Sequence, residues 1–212
     1  MATKKVTVDS GRIVFAGLEY LYMTPWIEAA DGKWVLGDDT YDLVNIVGDT
    51  VTVEQEDNEV NEIAHEFSSE PLYENTKLGK KTFSAECIDF QNDVVQNLLG
   101  WTIATGDNVG YAAAPITYTD KFVAIELGFT STDEKIVLPK VKLNSKATLS
   151  SLKTDASKAT LSGTCYSAYC KIGSNRGVVE TDMFRSKFTI GKPTREYEIA
   201  EDDSIASTTA EE

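Results

Sequence analysis

Two stretches of this chain, Val137–Leu149 and Ala159–Tyr169, alternate apolar and polar residues almost without a fault. In the first, Val137, Pro139, Val141, Leu143, Ala147 and Leu149 share one parity. Lys140, Lys142, Asn144, Lys146 and Thr148 take the other, with Leu138 among them. In the second, Ala159, Leu161, Gly163, Cys165 and Tyr169 oppose Lys158, Thr160, Ser162, Thr164 and Ala168. Side chains alternate faces along a strand, so a period of two predicts long, half-buried antiparallel strands. These stretches hold none of the clusters of His, Cys, Asp or Glu that catalysis requires.

The remaining segments extend the same pattern. Met1–Ser10 reads as a small polar N-terminal arm. Gly11–Tyr22, Asp49–Glu56, Lys81–Ile88, Thr117–Phe129 and Val178–Ile190 read as further strands. Thr24–Gly48 carries Pro25, Gly37 and Gly48 among Trp26, Ile27, Trp34, Val35, Tyr41 and Leu43. It predicts a projecting hairpin or long loop about the turn pair Asp31-Gly32. Trp26 and Trp34 either fold back on the core or mark a contact surface. Trp26, Ile27, Trp34, Val35 and Tyr41 are therefore the candidates for a subunit interface, because aromatic residues anchor such surfaces. A projecting loop of this kind would be removable without loss of the fold. Glu54–Glu62 is an acidic patch, and Ile63–Lys80 is irregular.

One helix is expected over residues 90–99. Asp89 can cap its start, Phe90, Val94, Val95, Leu98 and Leu99 fall on one face, and Gly100 supplies a left-handed stop. Gly173–Gly177 is a β-turn, because no helix N-terminus follows it to hold a phosphate. Thr194–Glu212 is an acidic tail that frays or docks on a neighbour. Seven or eight strands and one helix in a single domain, residues 11–193, predict a mainly β fold. It is an antiparallel β-sandwich or rolled barrel with the helix closing an edge or end.

The net charge of −14 excludes nucleic-acid binding through a basic surface, which needs clustered Lys and Arg. No stretch approaches the ~20 apolar residues of a membrane helix. The three cysteines, Cys87, Cys165 and Cys170, are too few and too odd in number for a disulfide framework. The single histidine, His65, has no second histidine at metal spacing, and no Cys-x-x-Cys occurs. Any Ser-His-Asp or Cys-His set would have to recruit that same His65. Cys87 shares a strand face with Phe83 and Ala85, which reads as a small buried hydrophobe. The acidic patch lacks the spaced ligands of a calcium loop. No catalytic residue, cofactor or metal site is expected, and the chain does not read as an enzyme.

The order of the pieces is informative. GKKTFSAECIDFQNDVVQNLLG, residues 79–100, is a strand running into a helix that ends in Leu-Leu-Gly. KVKLNSKATLSSLKTDASKATLSGTCYS, residues 140–167, is a late hairpin. This layout, over roughly residues 10–190, resembles the tail tube (major tail) proteins of long-tailed bacteriophages, whose fold type VI secretion tube proteins share. The resemblance implies a β-sandwich or barrel that forms hexameric rings. The rings stack into a tube, with the N-terminal arm and long loop bridging subunits. It implies a virion protein made in the bacterial host cytoplasm, with itself and other tail proteins as partners. DNA would pass through the lumen without specific binding, and no membrane is involved. The residues agree with this in three respects, one being that the projecting apolar loop and both termini suit contacts between subunits. Exposed edges of long strands need partners, and lumenal carboxylates would repel phosphate. The alternatives are a bacterial surface or fimbrial-type β-sandwich and a β-barrel ligand-binding protein.

Overall fold

A computed structural model describes residues 16–30, 33–63, 73–88, 96–103, 112–115, 120–131, 134–148, 157–172, 178–187 and 197–199. The N-terminal arm, the first part of the expected helix, His65, Leu149 and the acidic tail beyond residue 199 lie outside them. Among the described residues there are sixteen strands. The first seven are β1 (Leu18–Glu28), β2 (Trp34–Leu36), β3 (Tyr41–Asp42), β4 (Thr52–Gln55), β5 (Glu59–Ile63), β6 (Tyr73–Lys77) and β7 (Lys81–Cys87). Next come β8 (Thr102–Ile103), β9 (Ala112–Ala113), β10 (Lys121–Phe129), β11 (Glu134–Thr148) and β12 (Lys158–Tyr166). The last four are β13 (Ala168–Ile172), β14 (Val178–Thr181), β15 (Phe184–Lys187) and β16 (Tyr197–Ile199).

The main sheet runs β2-β1-β10-β11-β12-β7-β4, with every pairing antiparallel. The two opening stretches form its centre, as β11 and β12. The sheet curls about a core in which Leu21, Met23, Val123, Ile125, Leu143 and Phe83 are fully buried. One short segment spans the two sides of the curl. Leu43 N–H donates to the Leu21 carbonyl on β1, and Val47 N–H donates to the Glu86 carbonyl on β7. Among the described residues no strand-long ladder closes the curl into a barrel. A second sheet, β14-β13-β16, packs on the outer face instead. Trp26, Ala168 and Cys170 form that second core with Phe122, Phe184 and Ile199. The result is a sandwich rather than a rolled barrel.

The expected parity of β11 holds only in part. Val123 stands opposite Val141 but Ile125 opposite Leu138, so Pro139 and Lys140 together face Ala124. This is a β-bulge, a place for a proline that cannot donate to the ladder. The bulge switches the faces. Leu138 joins Val141 and Leu143 in the main core, while Val137 turns to the opposite side. A second break, at Ser167, passes the chain from one core to the other. Cys165 lies in the main core and Ala168 and Cys170 in the second, so the expected alternation through Tyr169 ends at Tyr166. All three cysteines are buried, and none is in a disulfide.

The projecting loop expected over 24–48 does not exist as such. β1 continues through Pro25 and Trp26 to Glu28, and β2 folds back on it with Trp26 opposite Leu36 and Glu28 opposite Trp34. β1 and β2 thus pair as a hairpin that extends the main sheet, while the expected turn pair Asp31-Gly32 lies outside the described residues. The following residues return to the core, where Leu43 is buried and β3 pairs β1. The helix end is as expected. Gln96 and Asn97 are helical, Leu98 and Leu99 are buried, and Gly100 has a φ of 76°. Lys121 Nζ donates to the carbonyls of Gln96 and Asn97, both at 2.8 Å, and satisfies two carbonyls left open by the helix end. One close contact requires glycine: a Cβ on Gly128 would sit 1.9 Å from the Tyr20 ring, which crosses that position.

Candidate assembly surfaces

Four of the five interface candidates divide by parity on the β1–β2 hairpin, and Tyr41 lies on β3. Trp26 follows Tyr20, Tyr22 and Thr24 onto the outer face of the sheet, where the second sheet covers it. Its indole N–H donates to the Pro139 carbonyl at 3.0 Å, a carbonyl in the bulge. The Lys140 ammonium lies 5.2 Å from the Trp26 ring and 5.4 Å from the Phe122 ring, within cation–π range. Trp34 meets Phe122 edge-on at 5.3 Å. Tyr41 is half-buried and its hydroxyl accepts the Asn97 side-chain amide at 2.6 Å. All three make contacts within the subunit. Ile27 and Val35 are paired on the opposite side of the hairpin, and Ile27 is 53% exposed. Trp26 sharing a parity with Tyr20 and Tyr22 was the available sign that β1 runs on past Tyr22.

The projecting element lies elsewhere, in the stretch read as an acidic patch and an irregular segment. β5 and β6 pair with each other and, among the described residues, with no other strand. Every side chain from Glu54 to Val60 and from Asn75 to Leu78 is exposed. The hairpin leaves the body at a narrow neck, where Glu56 N–H donates to the Lys80 carbonyl at 2.9 Å. Register places Glu59 opposite Lys77 and Val60 opposite Thr76. Val60 and Leu78 therefore share one side of the ribbon, at 50% and 71% exposure. Glu54, Glu56, Asp57 and Glu59 make its base acidic. The missed signal was the weak alternation of Glu59–Ile63 and Tyr73–Lys77, too polar and too short to stand out.

A third surface is the outer face of β4, β7, β11 and β12. Rows of polar residues cross it: Lys142, Thr164, Thr82 and Glu54, then Asn144, Ser162, Ser84 and Thr52. An open depression of about 640 Å³ lies over these rows. Lys142 pairs with Asp120 at 2.7 Å and Lys158 with Glu86 at 3.3 Å, so the face is polar without being strongly basic. Lys140, opposite Tyr166 at the margin of this face, lies over the Trp26 and Phe122 rings.

Two of the buried thiols are held in unreactive states. Burial pushes the Cys165 thiol up to about 11, with nearby Asp182 adding to the shift, and the Cys170 thiol up to about 12. Neither ionises near neutrality, so neither is an activated nucleophile. Among the described residues no group of three or more His, Cys, Asp or Glu is placed to hold a metal ion. Among them also, no helix is long and apolar enough to cross a membrane.

No protein-family model matches the chain, and no curated protein matches it. Among solved structures, a chain of the anti-feeding prophage (AFP) baseplate, determined by cryo-EM with six-fold symmetry imposed, is one to which this chain is similar. The match covers 82% of this chain and 98% of that chain, at 11% sequence identity and a TM-score of 0.36.

Proposed function

We propose that this chain is a structural subunit that assembles with copies of itself into stacked, hexameric rings, forming a tail tube of a bacteriophage or a related particle. The observation that carries this reading is the β5–β6 hairpin. A two-stranded ribbon is marginally stable on its own in water. This one exposes Val60 and Leu78 on one side and is joined to the body by a narrow neck. Such a ribbon gains its stability from a neighbour.

Two further features support the reading. The outer edge of β4 has no strand partner among the described residues, and Thr52, Glu54 and Gln55 on it are exposed. An unpaired edge invites another chain, and closed rings are the arrangement that buries edges without open-ended growth in the plane. The net charge of −14 opposes random association and suits a conduit that must not hold DNA. The sequence layout described above gives the same answer. In this account DNA passes through without specific contacts, the other partners are tail proteins, and the chain acts without a cofactor and without catalysis.

The test replaces residues 57–79 with a short Gly-Ser link. The expected product is a folded monomer whose light scattering stays constant with concentration, while the unaltered chain self-associates. Unchanged self-association by the shortened chain would overturn the role given to the hairpin.

A further inference from the structure

The curl of the main sheet leaves an apolar slot of about 700 Å³ between the start of β1, the end of β10 and residues 42–53. Leu18, Ile46, Val51 and Phe129 wall it, all partly buried and packed against the main core. Val44 lines it too and is 73% exposed. The charged residues lining it are Glu19, Asp42 and Asp49, and among the described residues no Lys, Arg or His does so. Apolar walls with an acidic lining select an apolar group flanked by positive charge.

We propose that the occupant is a second copy of this chain, which seats Leu78 of its β5–β6 hairpin, with Val60 beside it, in the slot. The proposal rests on the assembly role given to the hairpin above and names the surface that the hairpin meets. Three observations support it. The first is exposure. Among the described residues Val44 and Leu78, at 73% and 71%, are the two most exposed large hydrophobic side chains, and this one contact covers both. The second is charge. Glu56, Asp57 and Glu59 lie on the outgoing side of the ribbon, whereas Lys77 and Lys80, both exposed, flank Leu78 on the return. The return side therefore brings positive charge to Glu19, Asp42 and Asp49. The third is the set backbone around Leu78. The Gly79 N–H donates to Asn58 Oδ1 at 3.2 Å, and a Cβ on Gly79 would sit 1.9 Å from the Glu56 carbonyl oxygen. The neck is closed around that glycine, so Leu78 is presented at a defined position, which lowers the cost of ordering it on binding. Slot and hairpin are different patches of one subunit. The contact is heterologous and repeats from copy to copy, as rings and stacks require.

Two measurements on the full chain test this. In the first, isotope-labelled Leu78→Cys is mixed with unlabelled Val44→Cys at a concentration where the unaltered chain self-associates, and the mixture is oxidised. The expected product joins two different chains through residues 78 and 44. Its yield should be roughly tenfold above that of a mixture of Leu78→Cys with Val179→Cys on the second sheet, because only the seated pair has a high effective concentration. Self-association without a 78–44 link above that control would overturn this contact and leave the assembly reading standing. No self-association at any concentration would overturn both. The second measurement reads the charge. Leu78 is exposed, so Leu78→Asp and Leu78→Lys should both keep the circular dichroism of the unaltered subunit. Leu78→Asp should raise the concentration needed for self-association roughly tenfold. Leu78→Lys should raise it by clearly less, because the slot accepts a cation. Equal effects of the two changes, or no effect of Leu78→Asp, would equally overturn the proposal.

Discussion

The indole N–H of Trp26 donates to the Pro139 carbonyl at 3.0 Å, and through that bond the hairpin of β1 is fastened to the bulge of β11. The residues are far apart in sequence, yet the contact joins the two places where the chain departs from simple alternation. Replacing Trp26 by Phe keeps much of the packing but leaves the buried carbonyl without its donor. That should cost roughly 1–3 kcal/mol. Trp26→Ala also opens a cavity beside Phe122 and should cost about 3–5 kcal/mol. Urea denaturation checks both, and equal small losses would show the bond to be incidental.

Deletion of residues 24–48 follows from the same relationship. A loop would be dispensable, but this segment supplies Trp26 to one core and Leu43 to the other. The shortened chain should lose its near-ultraviolet circular dichroism and its cooperative thermal transition. A cooperative transition retained within a few degrees would contradict the placement of both residues.

The buried pair of Lys135 and Glu126 gives a third prediction. Their Nζ–Oε2 distance is 2.6 Å, with side-chain exposures of 3% and 9%. Lys135→Met removes the cation and keeps the carboxylate buried, which should cost about 3–5 kcal/mol. The double change Lys135→Met/Glu126→Leu should recover most of that loss, because two buried charges are then replaced by apolar groups. A double-mutant cycle reads the coupling directly, and purely additive losses would mean the pair is solvated.

Thiol titration gives a prediction with a definite sign. The Cys165 and Cys170 thiols are raised above 9.0 by burial, to about 11 and about 12. Below pH 9 both are protonated in the folded and the unfolded chain, and their contribution to stability is constant. Above pH 9 the unfolded thiols ionise while the folded ones keep their protons. Stability therefore falls as pH rises from 9 toward 11–12. Native protein at pH 8 should react slowly with a thiol reagent, and all three cysteines should react once it is denatured. Rapid native labelling at Cys165 or Cys170 would contradict their burial.

The parts of the fold that alternation could reveal were legible in the chain, and the rest shows what alternation cannot carry. β7, β10, β12 and the C-terminal half of β11 follow period two, because each has one face on the main core. Gly100 and the buried Leu98 and Leu99 were equally plain, since a helix stop and an apolar stripe are local signals. The bulge at Pro139 was hidden because Val137 and Leu138 are both apolar, and their faces depend on pairing with β10. Trp26 was misplaced because turn residues around it outweighed its shared parity with Tyr20 and Tyr22. The β5–β6 hairpin was missed because a ribbon standing in solvent has no core face to impose a pattern. The surface that carries the proposed function is thus the one with the weakest sequence signal.

The most direct test of that function is the particle mass of the unaltered chain measured over a wide concentration range, with negative-stain images of the same samples. The account predicts discrete rings of about six subunits that stack into tubes as concentration rises. A monomer at every concentration, with no rings or tubes in any image, would contradict it.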